Sequence, residues 1–484
     1  MDDQAAARYA ALLARDQRFD GRFFVGVTST GIYCRPICNV RAPKRENCRF
    51  FDHAAAAEAA GFRPCLRCRP ELAPGLAAVD SPSRLAWAAA ARIEAGELDE
   101  GGLSGLASRL GITDRHLRRV FGEHFGVTPV AYAQTQRLLL AKRLLADTAL
   151  PLTEIAFAAG FGSVRRFNAL FLGHYGLAPG AARGRAKTSR GDELRLHLAY
   201  RPPFDWPRLL AFLAGRCVLG VEAVADGAYR RSVRIETAGV PLRGWISVSQ
   251  SVDRDAVLVD VSPGLLRALP AVLAGVRRLC DLGCDPAAVL AALGPLASDA
   301  PGLRVPGAVD GFEMAVRAVL GQQVTVKAAH TLAGRLVEHF GEALATPYPG
   351  VTHLFPTAAH VAALAPERLA QLGIVRQRAA AILALARAVA EGQLDLGPAA
   401  DVPAALAALE SLPGIGRWTA NYIALRALAW PDAWPHGDIA LQKALGATSA
   451  KRAEVQAEAW RPWRGYATLH LWRWLNEAKR EERA

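Results

Sequence analysis

Residues 412–428 read LPGIGRWTANYIALRAL. A helix running into Leu-Pro-Gly-Ile-Gly, with a second helix following at once, makes a helix-hairpin-helix. Gly414 and Gly416 leave the backbone bare where the second helix begins, so its N–H groups can approach an anion such as a DNA phosphate. Asp438, in WPHGDIALQKAL, follows Gly416 by 22 residues and places a carboxylate downstream of the hairpin. From Val309 onward almost everything reads as alanine-rich helix. Ahead of it, LRLHLAYRPPF, YRRSVRIET, GWISVSQ and AVLVDVS suggest a small antiparallel sheet, and LLRALPAVLAGVRRLCDL a covering helix.

The other end of the chain carries a different signal. Five of the eight cysteines fall between positions 34 and 68. Cys34-x3-Cys38 and Cys65-x2-Cys68 are separated by 26 residues, and two such turns can close a tetrahedral thiolate shell around zinc. Four thiolates on one zinc ion leave a net charge of about −2, so a sulfur stays electron-rich. Arg35, Arg41, Lys44, Arg45, Arg63, Arg67 and Arg69 surround the pairs, which sets an anionic, alkylatable sulfur in a basic surface. Cys48 lies outside both pairs and reads as a bystander. Cys217, Cys280 and Cys284 are scattered in apolar surroundings and read as small buried hydrophobes.

Between these ends lies an internal repeat. LSGLASRLGITDRHLRRVFGEHFGVTP begins at Leu103, and LTEIAFAAGFGSVRRFNALFLGHYGLAP at Leu152. Each copy shows a short helix, a glycine turn and a second helix opened by Thr113 or Ser163 as N-cap. Arg115, Arg118 and Arg119 stand at exposed positions of the first such helix, and Arg165, Arg166 and Asn168 on the other. Arginine and asparagine read guanine and adenine in the major groove or clamp phosphate. A run of helical residues, Tyr132–Asp147, joins the two units.

Composition agrees with several globular domains acting on a polyanion. The chain has 484 residues, with 51% hydrophobic and 21% charged, and no apolar run reaches the roughly 18 residues of a membrane span. Its start, MDDQAAARYA, is acidic and lacks the build of a signal peptide. A cytoplasmic, nucleoid-associated location is expected, with no membrane partner. Residues 1–190 hold 27 Lys and Arg against 17 Asp and Glu, so ten of the thirteen net positive charges lie there.

These residues carry resemblances. TSTGIYCRPIC, RENCRFF and EAAGFRPCLRCRPE resemble the zinc domain of the Ada family over about residues 5–72. That likeness implies that Cys34, Cys38, Cys65 and Cys68 hold Zn2+ and that Cys34 takes a methyl group from a DNA methylphosphotriester. Losing one negative charge would then raise affinity for DNA. The doubled helix-turn-helix resembles the AraC-type DNA-binding domain, as in Ada. No Pro-Cys-His-Arg tetrapeptide occurs, so the family's alkylguanine transferase chemistry is expected to be absent.

Hairpin and aspartate together are the signature of the helix-hairpin-helix DNA glycosylases. YRPPFDW, PGLRVPGAVDGFEMAVRAVLGQQV, LPGIGRWTANYIALR and WRPWRGYATLHLWRW resemble 3-methyladenine DNA glycosylase II, the AlkA family, over residues 193–476. The likeness implies a monofunctional glycosylase. Trp418 stands after Arg417 where strand-cutting relatives carry a Schiff-base lysine. Asp438 would steady the oxocarbenium-like sugar, and Trp418, Tyr422 and Trp472 would line a pocket for flipped, cationic bases. Gln323 stands where the family's wedge residue is apolar.

The expected fold is multidomain and mainly α, with a small α+β zinc domain, a small antiparallel sheet domain and a helix-hairpin-helix glycosylase fold at the C-terminus. The expected divisions are 1–75 (zinc), 84–183 (double helix-turn-helix), 184–192 (basic linker), 193–302 (AlkA-like α/β) and 303–484 (glycosylase). Expected partners are alkylation-damaged duplex, promoter DNA and RNA polymerase. Two rival readings are a transcription activator with a vestigial glycosylase half, and a repair enzyme whose front half only tethers it to DNA.

Overall fold

The computed structural model describes residues 2–74, 84–99, 101–183, 194–237, 239–397 and 400–481; the linker expected at 184–192 lies outside them. The chain divides into two compact units. One holds 1–202, 234–274 and 282–284, the other 203–233, 275–281 and 285–484. No helix among the described residues is long and apolar enough to cross a membrane.

The first unit opens with helix Asp2–Ala14 and four short strands: β1 (Phe24–Val27), β2 (Ile32–Cys34), β3 (Cys48–Phe51) and β4 (Arg63–Pro64). Their order is β3-β1-β2-β4, with β1 antiparallel to β2 and β3 and β4 parallel to β2. Phe24, Tyr33 and Phe62 fill one face, packed against helix Ala54–Ala59. The parallel pairing matters most, because it sets the end of β2, which is Cys34, beside the end of β4, which Cys65 follows.

The helix-turn-helix units form as read. Thr113 accepts from the His116 N–H and Ser163 from the Arg166 N–H, capping helices Asp114–Phe125 and Val164–Tyr175. Each closes on a glycine at positive φ, Gly126 or Gly176, a conformation that costs glycine little. Leu117, Phe121 and Phe125, and in the second copy Phe167, Phe171 and Tyr175, turn inward. The connecting helix is Pro129–Asp147, three residues longer at its start than the sequence pattern suggested. Thr128 caps it and proline takes the first turn, where its missing N–H costs nothing.

That connecting helix is bonded to the four-stranded module through buried and partly buried charge. Arg69 makes two bonds to Asp147, at 2.7 and 2.9 Å, and one to Glu71 at 3.0 Å. Lys142 reaches Glu71 at 2.8 Å. Buried Glu58 accepts from the Tyr33 hydroxyl at 2.9 Å and the Thr135 hydroxyl at 2.8 Å.

Five further strands, β5 (Leu194–Ala199), β6 (Glu222–Ala225), β7 (Ala228–Thr237), β8 (Val240–Gln250) and β9 (Ala256–Val261), pair in the order β5-β9-β8-β7-β6. Leu194, Leu196 and Leu198 alternate inward along β5, the pattern of a sheet with one covered face. β6 was not among the expected strands, because Glu-Ala-Val-Ala is weak strand sequence. A two-residue Asp226-Gly227 turn, both at positive φ, brings Ala225 opposite Ala228 and recruits it.

The second unit is helical from Gly311, apart from a two-residue strand pair, Glu342–Ala343 with His353–Leu354. Four charges cluster in it, with Glu222, Arg231 and Glu313 buried and Arg317 partly so. Arg231 bonds Glu313 at 2.6 Å, and Arg317 bonds Glu313 at 2.9 Å and Glu222 at 3.0 Å. Two guanidinium and two carboxylate groups cancel, which is the condition for burying charge at all.

Candidate functional site

Cys34 ends β2 and Cys38 follows one turn later, its N–H bonded to the Arg35 carbonyl. Cys65 follows β4, its N–H bonded to the Tyr33 carbonyl, and Cys68 completes the next turn. The four Sγ atoms lie within 4.8 Å of one another. A zinc–sulfur tetrahedron needs sulfurs about 3.8 Å apart, so the cradle fits the ion with small closure.

The environment fits thiolates too. The Arg35 N–H points at the Cys68 Sγ and the Arg67 N–H at the Cys65 Sγ, each at 3.4 Å. Without a cation, hydrogen bonds from Cys38, Cys65 and Cys68, followed by burial, push the Cys34 thiol far up. A divalent ion reverses that balance and holds the sulfur as thiolate. Cys48 is buried in β3 and outside the cluster. Cys280 and Cys284 are buried, Cys217 partly so.

Cys34 and Cys38 also line a cavity of about 280 Å³ walled by Leu12, Val25, Val27 and Val40. Around the cluster Arg41, Lys44, Arg63 and Arg67 are exposed. Arg35 and Arg69 are turned to internal partners, Asp20 and Asp147.

In the second unit the hairpin forms between helices Val402–Ser411 and Arg417–Arg426. Gly414 has φ +77°, a left-handed turn suited to glycine. Gly416 is the N-cap of the second helix, no side chain caps it, and a Cβ there would meet nothing within 4 Å. The N–H groups of the first turn therefore have no side-chain cap.

Trp418 and Tyr422, one turn apart on that helix, stack with centroids 5.2 Å apart and planes 7° from parallel. Trp472, from helix Arg464–Glu481, lies 6.3 Å from Tyr422. Asp438 caps helix Ile439–Ala444, its Oδ1 accepting the Leu441 N–H at 2.9 Å. Its Oδ2 accepts the Trp418 indole N–H at 2.9 Å, and Oδ1 is 3.4 Å from the Trp472 indole nitrogen. The carboxylate is thus fixed by the aromatic side chains beside it.

These three rings line a cavity of about 260 Å³, together with Arg216, Met314, Arg317, His330 and Arg426. Burial pushes the Tyr422 phenol up, but Arg426, Arg216 and Arg317 outweigh it and leave it below its ordinary value. Arg426 donates to the Tyr422 hydroxyl at 2.9 Å.

Gln323 is exposed, with φ +52°. Its neighbour Gln322 donates to the Gly414 carbonyl and the Thr419 hydroxyl, both at 2.9 Å, pinning this turn to the hairpin. Gln322 went unremarked in the sequence, although it belongs to the Leu-Gly-Gln run that locates Gln323. His330 was also missed; its signal is the face Val326, Ala329, His330, Ala333, at helical spacing. The six recognition-helix residues, Arg115, Arg118, Arg119, Arg165, Arg166 and Asn168, are all exposed. Arg119 is also paired with Glu123.

Four family models match in succession. They are the metal binding domain of Ada (7–71), a helix-turn-helix domain (106–185), the AlkA N-terminal domain (195–310) and the HhH-GPD superfamily of base excision DNA repair proteins (316–464). A Mycobacterium tuberculosis protein described as a probable bifunctional transcriptional activator/DNA repair enzyme AlkA is 40% identical over 488 residues, 98% of this chain and 97% of its own length. The chain belongs to that bifunctional AlkA family. It joins an Ada-type zinc and helix-turn-helix regulatory half to an AlkA-type DNA glycosylase half, and zinc is the metal its four cysteines hold. Escherichia coli DNA-3-methyladenine glycosylase 2 is 40% identical over 275 residues, 57% of this chain and 95% of that enzyme. The Escherichia coli bifunctional activator and repair enzyme Ada is 38% identical over 160 residues, 33% of this chain and 43% of Ada.

Proposed function

We propose that this AlkA-family protein is a monofunctional glycosylase for alkylated purines, with residues 303–484 carrying the chemistry and 193–302 supporting it. The observation that carries the reading is the Asp438 carboxylate, which accepts a hydrogen bond from the indole of Trp418, itself a wall residue of the aromatic cavity. A purine alkylated at a ring nitrogen is cationic when flipped, and aromatic faces such as those of Trp418, Tyr422 and Trp472 attract it. The N-glycosidic electron pair leaves with the base, which departs neutral. Asp438 opposes the positive charge left on the sugar. Water adds to C1′, and Asp438 receives its proton. Gln323 fills the gap in the stack, and the Gly414–Gly416 hairpin seats a backbone phosphate.

In the regulatory half, Cys34 is the methyl acceptor. Its sulfur attacks the methyl carbon of a phosphotriester; the C–O bond breaks toward phosphate, and a thioether remains. The cavity beside Cys34 and Cys38 supports access to a sulfur otherwise buried. Residues 84–183 bind promoter DNA through both recognition helices, recruit RNA polymerase and keep the protein on the nucleoid. The intact carboxylate and ring stack argue against a vestigial glycosylase.

The test uses one methylated duplex and the wild-type protein, with released bases and protein-bound methyl measured in the same tube. Both signals are expected. Borohydride is expected to trap no adduct, since Trp418 stands where a Schiff-base lysine would be needed. A trapped lysine adduct, or no base release, refutes the monofunctional reading.

A further inference from the structure

Helix Val326–Phe340 turns one face to the cavity that holds Trp418, Tyr422 and Trp472: Val326, Ala329, His330 and Ala333. These positions are i, i+3, i+4 and i+7, a single stripe. Three are small apolar residues that leave room for a planar guest. The fourth is an imidazole.

The other polar groups of the wall are engaged. Arg317 bonds Glu222, Glu313 and the Arg216 carbonyl. Arg426 bonds the Tyr422 hydroxyl and the Pro306 carbonyl. Arg216 lies over the Phe212 ring, 3.8 Å from its centroid, and donates to the Phe212 carbonyl. The Tyr422 hydroxyl accepts from Arg426. Among the described residues the His330 ring has no hydrogen-bond partner. Burial, then Arg317 and Arg216, hold its pKa below the ordinary histidine value, so at neutral pH it offers one N–H and one bare nitrogen.

The two kinds of damaged purine need different things here. A cationic base leaves as a neutral molecule and is helped enough by aromatic faces. An uncharged purine leaves with an extra electron pair as an anion, and a donor at its nitrogen or carbonyl edge stabilises that developing charge. We propose that His330 is a specificity-determining residue that donates its ring N–H to the acceptor edge of an uncharged flipped purine, admitting such lesions beside the cationic ones. This rests on the reading of the cavity as the base pocket.

The experiment compares single-turnover release of hypoxanthine and of 7-methylguanine from duplexes of one sequence. The proteins are the wild type, His330→Phe and His330→Gln. Phenylalanine keeps ring and bulk without the N–H; glutamine restores a donor. For His330→Phe we expect hypoxanthine release to fall about 10- to 100-fold, the worth of a hydrogen bond to developing charge. Release of 7-methylguanine stays within about threefold, and His330→Gln recovers much of the loss. An equal fall for both bases, or no fall for either, overturns the proposal, as does a wild type that releases 7-methylguanine but no hypoxanthine. A wild type that releases neither refutes the base-pocket reading itself.

Discussion

Replacing Asp438 by asparagine changes one atom and removes one charge. If the carboxylate stands about 4 Å from the sugar that becomes cationic, an effective dielectric of about 20 gives roughly 4 kcal/mol of transition-state stabilisation. That converts to about a thousandfold in rate. The geometry removes any easy compensation. Oδ1 accepts from the Leu441 N–H and Oδ2 from the Trp418 indole, each at 2.9 Å. An amide can satisfy one of these donors and must turn its own N–H2 toward the other. Because asparagine remains a good helix N-cap, the Leu441 bond survives and the Trp418 side loses. The assay is single-turnover release of 7-methylguanine with saturating protein, alongside DNA binding to the same duplex. Release falls about a thousandfold in Asp438→Asn while affinity stays within about threefold. Trp418→Phe, which keeps the ring but drops the donor, falls about tenfold through a less fixed carboxylate. Asp438→Asn release within about tenfold of wild type would refute the electrostatic assignment.

Cys34→Ser abolishes transfer of labelled methyl from phosphotriester DNA while 7-methylguanine release is kept; label still arriving would move the acceptor to Cys38, which shares the cavity. Removing zinc with a chelator lowers the melting temperature of the N-terminal unit and leaves the glycosylase unit unmoved, read as two transitions in calorimetry; an unmoved first transition counts against a structural metal. His53 is pushed down to about 4 by burial, opposed by Asp52 and aided by His124. Between that value and its usual 6.5 the unfolded chain binds a proton that the folded one does not, so stability falls as pH drops through this window, by up to about 3 kcal/mol. His53→Phe, which keeps the contact with Phe125, flattens that fall in thermal melts from pH 7 to 4; an unchanged slope assigns the acid sensitivity elsewhere.

What the sequence determined by itself is what depends on neighbours along the chain. N-caps Thr113 and Ser163, the Gly414 turn and the paired cysteines are short-range devices, each legible because three to five residues fix it. The early start of Pro129–Asp147 and the strand Glu222–Ala225 were legible in principle, from Thr128-Pro129 and Asp226-Gly227. The composite family likeness was legible because its motifs are long. Tertiary structure alone decided what meets across distance. It joined β2 to β4 so that two cysteine turns face each other. It set Asp438 under indoles from residues 418 and 472, and turned Arg35 and Arg69 inward to carboxylates instead of outward to phosphate. It also left His330 without a hydrogen-bond partner among the described residues, in a cavity whose arginines and tyrosine are engaged. Periodicity tells which face of a helix is buried, but the partner that face meets is set by packing between segments a hundred residues apart, and no local pattern encodes that.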